Sequence, residues 1–204
     1  MAADSMASRA LLRNSVLCWL LLVLLVACQS EKQTPPAIPA RYVNSDVPGW
    51  QQRAGSLWLT DTLFSGWQVH ITPSGDTLFC GSFLAGKADG VHRQWYASGR
   101  LREERHYHNG WQEGEQRGWH ESGKPAFVYQ FKNDVYEGSR TEWYANGKPA
   151  LAGNYHEGQE VGLQRQWFDN GTLKVNYEVR NGRHYGFTGV KNCVNVWDSI
   201  TVTH

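Results

Sequence analysis

The side chains able to do chemistry are few in this sequence. His106 and His108 alternate, so both could aim from one strand face at a metal ion, but no cysteine or carboxylate stands at a spacing that completes a ligand set. They are read as solvated strand-edge residues, and neither a metal nor a cofactor is expected. Glu103 with Glu104, and Glu113 with Glu115, are the nearest approach to a carboxylate couple for acid and base work. No context singles out either pair, and they are read as turn and strand-face charges. There is no Gly-x-Ser-x-Gly elbow, no phosphate-binding glycine loop and no His-Glu-x-x-His, so no catalytic residue is assigned. What the chain has in quantity is ten Trp, nine Tyr and 21 Gly. Those residues bind, stack and turn; they do not break bonds.

The elements that hold them follow from a period. Trp95, Trp119, Trp143 and Trp167 are 24 residues apart. Turn glycines keep the same step at Gly75, Gly99, Gly123, Gly147 and Gly171, and so does a second column at Gly66, Gly90, Gly114, Gly138, Gly162 and Gly186. A third column runs Phe83, Tyr107, Phe131, Tyr155 and Val179. Several columns in one register imply an array of like units, about 66–89, 90–113, 114–137, 138–161 and 162–185. An active site needs unlike groups converging once, whereas even repetition suits a surface.

Each unit reads as a β-hairpin. In the unit 138–161 the first strand ends at Trp143 and Tyr144, and Asn146-Gly147 signals a type I′ turn. The second strand runs to Tyr155, and His156-Glu157-Gly158 begins the return. A lone hairpin is marginal in water, so each must lean on its neighbours. The expected fold is all-β: tandem 24-residue hairpins forming an elongated open antiparallel sheet, with the tryptophan columns as buried core. Arg93, Arg117 and Arg165 stand two residues before Trp95, Trp119 and Trp167, which predicts a shared face and cation–π contact. With Tyr96 and Tyr144 they are the candidate binding face.

The pattern Trp-x-x-(Asn/Ser)-Gly-Lys, then an aromatic, then x-Asn-Gly resembles the MORN-repeat variant called MORN_2, found in tandem in bacterial proteins of the YwqK-family antitoxin type. The resemblance spans roughly 66–186 and implies a MORN-like array. It departs at both ends, with Ile71 where Trp is expected and with no pattern after Gly186. Those ends are read as caps. An antitoxin label comes with the resemblance, and its cytoplasmic sense conflicts with the leader described next; an immunity role against an envelope-directed toxin does not.

Residues 16–27 form an apolar run of twelve behind Arg9 and Arg13, the length of a signal-peptide core and too short to span a bilayer, which takes ~20 residues. The run ends Leu25-Val26-Ala27-Cys28, which resembles the bacterial lipobox. The resemblance implies that 1–27 is a lipoprotein signal peptide and that Cys28 becomes the acylated (palmitate-bearing) first residue. Multiple acyl chains give stable anchoring where one does not. Gln29 in place of Asp is compatible with transfer to the outer membrane. Residues 28–48 hold Pro35, Pro36, Pro39 and Pro48 and read as a semi-rigid tether, leaving 49–204 as the repeat domain. Cys80 and Cys193 are 113 residues apart, roughly 45 Å along an open array at ~4.8 Å per strand. Two free thiols are therefore expected.

The formal net charge of +1 argues against a nucleic-acid partner, and the absence of a basic cluster weakens recognition of anionic lipid. The expected function is a membrane-anchored, non-enzymatic lipoprotein of the bacterial envelope whose array acts as a protein-interaction scaffold, antitoxin- or immunity-like. The alternative is a glycan or cell-wall binding module using the repeated aromatic residues.

Overall fold

The computed structural model describes residues 37–189; the 1–27 leader, Cys28, the first part of the tether and Cys193 lie outside them. The described elements are all strands. A short β1 (Tyr42–Asn44) precedes a separate antiparallel sheet of β2 (Trp50–Arg53), β3 (Ser56–Leu59) and β4 (Thr62–Leu63). The hairpins follow at the expected period. They are β5 (Gly66–Ile71) with β6 (Thr77–Leu84), and β8 (Gly90–Trp95) with β9 (Leu101–His108), the two-residue β7 (Lys87–Ala88) lying between them. After β10 (Trp111–Gln112) come β11 (Gly114–Trp119) with β12 (Pro125–Lys132), β13 (Val135–Trp143) with β14 (Pro149–His156), and β15 (Gln159–Trp167) with β16 (Leu173–Arg180). Last is β17 (Arg183–Phe187).

Together with β1 these hairpins make one sheet of fourteen strands, running β1-β5-β6-β8-β9-β11-β12-β13-β14-β15-β16-β17 with β7 and β10 as side pairings. The pairing is antiparallel except that β1 runs parallel to β5. Ile71 pairs with Thr77 just past a register shift, as Trp95 pairs with Leu101, Trp143 with Pro149 and Trp167 with Leu173. The missing tryptophan of the first unit therefore leaves its backbone geometry unchanged.

The turn chemistry differs from the expectation in one respect. At Ala145-Asn146-Gly147 only the glycine has positive φ (89°), Gly147 N–H donates to Tyr144 C=O (2.7 Å), and Tyr144 N–H donates to Lys148 C=O (2.9 Å). That is a type I turn closed by a glycine bulge, and Gly75, Gly99, Gly123 and Gly171 repeat its two bonds. The type I′ turns lie at the other ends of the hairpins, where both central residues are left-handed, as at Asn109-Gly110, Asn133-Asp134, Glu157-Gly158 and Asn181-Gly182. A bulged type I turn needs one glycine; these type I′ turns take Asn or Glu at their first position and Gly or Asp at their second.

Burial also differs. The main packed cluster is small and lies at the start of the array, where Leu57, Leu59 and Phe64 are buried and Val43, Trp50 and Phe83 pack against them; Val69, Val175 and Val179 are buried outside it. Trp95, Trp119, Trp143 and Trp167 are each half-buried, not buried. The reason is geometric. Neighbouring hairpins stand beside one another in a single layer, so a side chain gains cover from in-plane neighbours and little from above.

Candidate binding surface

Strand alternation divides the sheet into two faces. On β8 and β9 the pair Arg93 and Glu104 points to one face, and His92 with Arg105 to the other. The first face takes up the arginine column. Arg93 Nε donates to Glu104 (2.7 Å), Arg117 pairs with Glu115, and Arg165 Nε donates to the Asn176 side-chain oxygen (3.3 Å). Among the described residues none of the three guanidinium groups lies over a tryptophan; each is engaged by Glu104, Glu115 or Asn176 instead. The cation–π expectation is replaced by ion pairs and an amide contact.

Tyr96 and Tyr144 tie repeats together. Their hydroxyls donate to the carbonyls of Trp119 (2.8 Å) and Trp167 (2.7 Å), and His120 Nε2 does the same to Trp143 (2.8 Å). Beside this row, Arg100, Lys124 and Lys148 donate to the turn carbonyls of Glu121, Asn146 and Asn170 at 2.7–3.0 Å. On the opposite side, oxygens of Ser65, Asp89, Glu113 and Glu137 accept from the turn amides of Ala85, Asn109, Asn133 and Glu157. The repeat-opening glycines Gly90, Gly114, Gly138 and Gly162 all have positive φ; at Gly90 a Cβ would also stand 2.7 Å from Ser82 Oγ.

The second face holds a column that the sequence reading passed over, two residues after each opening glycine. His92, Gln116 and Gln164 fill places where the backbone ladder opens. β11 pairs with β9 only at Arg117 with Glu104 and Gly118 with Glu103. Beyond that point the fully buried Gln116 closes the gap, accepting from His106 N–H (2.7 Å) and donating to His106 C=O (3.0 Å). Gln164 donates to Asn154 and Val161 carbonyls (2.8 and 3.0 Å), and His92 Nε2 to Ser82 C=O (2.8 Å). Burial holds the His92 imidazole below the ordinary histidine range, with the Ser82 bond opposing.

At the fourth member of this column the pattern changes. Arg140 turns to Glu142, donating from Nε (3.1 Å) and Nη2 (2.7 Å) to one carboxylate oxygen. That oxygen also accepts from the Tyr129 hydroxyl at 2.9 Å. The guanidinium lies over Tyr129 (5.4 Å) and Tyr136 (5.1 Å). Around it the rings are continuous: Phe127 stacks on Tyr129 (4.5 Å), Phe131 meets Tyr136 (4.4 Å), and Tyr136 meets Tyr155 (5.2 Å). Phe127 lies flat over Gly118, where a Cβ would fall 2.1 Å from its ring. All of these aromatic residues are half-buried.

Burial first, then the Glu142 charge and hydrogen bond, push the Tyr129 phenol well above the tyrosine range; burial also raises Tyr155. Both phenols keep their protons at neutral pH, and Tyr129 serves as a donor to Glu142. The aromatic cage already holds the protein's own cation, so a quaternary ammonium such as choline finds its place taken. The arrangement offers flat rings, one neutralised arginine and fixed hydroxyl groups. Its chemistry is recognition.

The other chemistry-bearing residues are dispersed. His106 Nδ1 donates to Glu115 C=O (2.7 Å), and His108 lies 3.3 Å from Asp89. Cys80 is a free, half-buried thiol raised by burial, with Arg93 opposing.

The MORN repeat variant matches residues 88–109, 112–133 and 136–157, three successive units at the 24-residue step. No curated protein matches the chain.

Proposed function

We propose that this protein, whose residues 88–157 are MORN-variant repeats, is a membrane-anchored, non-enzymatic scaffold that docks a protein partner on the aromatic face of its sheet. The observation that carries the reading is the break in periodicity at Arg140. A repeat array that keeps its columns for structure gives up one at a single place, and there gathers Tyr129, Tyr136, Arg140, Glu142 and Tyr155 on a half-buried face. Tyrosine and arginine set in partly desolvated surroundings are the residue types that dominate protein–protein binding energy.

Anchoring supports the same picture. Acylation of Cys28 would hold the array at the outer membrane of the envelope, and the Pro-rich tether would let the sheet stand off the bilayer. In that place the antitoxin association of these repeats translates into immunity against an envelope-directed toxin.

A photoreactive phenylalanine at Tyr136 in the acylated protein in its own envelope should capture one partner, and the same probe at Ser139 on the opposite face should not. Capture that is absent or equal from both faces would end the docking reading. Cys28→Ala should abolish acyl labelling and membrane retention; a variant that stays membrane-bound would remove the anchor from the proposal.

A further inference from the structure

We propose that the cleft beside Trp111 binds a single neutral sugar ring. The cleft, of about 310 Å³, lies between the β2–β3 turn and the return turns of the first hairpins, and is lined by Gly55, Ser56, Lys87, Asn109, Trp111 and Asp134. Small-ligand sites run from roughly 300 to 1,000 Å³, so this one has room for one ring and not for a chain.

Three observations set the ligand class. Trp111 is 51 % exposed although it belongs to the array. Its column otherwise holds Lys87, Val135, Gln159 and Arg183, so the repeat does not call for an indole there. An open indole face is a platform for the C–H face of a pyranose ring, an apolar surface with polar edges. The rim then supplies both donors and acceptors, as ring hydroxyls require. Asp134 Oδ1 is occupied by Gln112 N–H (2.5 Å), while Oδ2, the Lys87 ammonium, the Ser56 hydroxyl and the Asn109 side-chain amide have no hydrogen-bond partner among the described residues. Lastly, the one cation and the one carboxylate offset each other. A cationic ligand would meet Lys87 and a single ring in place of a cage, and an anion would meet Asp134; a neutral polyhydroxyl ligand meets neither conflict.

The site lies apart from the Tyr129–Arg140 cluster and does not depend on it. The test is calorimetric titration of the full-length protein in detergent with methyl α-glucoside and with N-acetylglucosamine. At least one should bind with a millimolar Kd. Trp111→Leu should weaken it by about tenfold, the factor that corresponds to about 1.4 kcal/mol, and Asp134→Asn, which keeps the Oδ1 acceptor for Gln112, should weaken it severalfold. Tyr136→Ala should leave it unchanged. Failure of both monosaccharides to bind with a Kd of about 10 mM or tighter, or unaltered binding by a Trp111→Leu protein that melts as the parent does, would overturn the proposal. Partner capture through position 136 should persist in Trp111→Leu, which separates the two sites.

Discussion

Gln116→Leu tests how the hairpins are joined. The change nearly conserves volume but removes the acceptor for His106 N–H and the donor to His106 C=O, held at 2.7 and 3.0 Å. His106 C=O keeps its bond from Glu113 N–H (3.0 Å), but no strand stands ready to replace the acceptor for the His106 amide, because β9 and β11 share only two register pairs. An unpaired buried backbone group costs about 1–3 kcal/mol. Taking the lower half of that range, since His106 itself is half-buried, the one orphaned N–H gives about 1.5 kcal/mol. A domain of this size loses about 2–4 °C of melting temperature per kcal/mol, so circular dichroism should record a fall of about 3–6 °C. Hydrogen exchange at the His106 amide should accelerate with it. Arg117→Leu, one residue away and exposed, loses a surface pair whose contribution is about 1 kcal/mol or less. Equal shifts for the two variants, or a Gln116→Leu shift under about 2 °C, would refute the idea that a side chain completes the ladder.

Three further outcomes follow from the same geometry. His92 is held neutral by burial, so the unfolded chain takes up a proton near pH 6.5 before the folded one does; stability should be complete above that value and fall as the pH drops through it. His92→Gln, which borrows the residue used at 116 and 164, should flatten the dependence of melting temperature on pH in this range. Gly118→Ala places a Cβ 2.1 Å from the Phe127 ring and should cost about 1–3 kcal/mol in chemical denaturation, with a change in the near-ultraviolet aromatic signal that Ser122→Ala, at an exposed turn position, does not show. Tyr144→Phe loses the donor to Trp167 C=O and should cost about 1 kcal/mol, while Tyr185→Phe, at an exposed ring, should cost nothing measurable in the same assay.

The period, the hairpins and their order were legible because glycine and tryptophan columns report backbone constraints that recur at every unit. The burial of the tryptophans was misjudged for a related reason. A repeat pattern shows which residues are equivalent but not how many layers the sheet has, and a single layer cannot bury what a sandwich would. The type I′ turn was placed at the wrong end since Asn-Gly occurs at both; the bond from Tyr144 N–H to Lys148 C=O, not the dipeptide, decides the type. The column of His92, Gln116, Arg140 and Gln164 is hard to see in the sequence because His, Gln and Arg share no side-chain class, although its spacing is open to view. Arg140 and Glu142 could have been found by asking where a column changes charge. Trp111 could have been found as a tryptophan outside the tryptophan column.

The rows of side chains that tie unit to unit stop together at the fifth. Phe168 stands where Tyr96, His120 and Tyr144 donate, Thr172 where Arg100, Lys124 and Lys148 reach across, and Val161 where Asp89, Glu113 and Glu137 accept. A copied segment appended after Phe187 would find no hand extended to it, whereas a duplicate of 114–137 or 138–161 inserted internally would meet its proper neighbour on both sides. An array built this way lengthens more readily from within than at its far end, so the reach of the sheet can change while the fifth unit stays as it is.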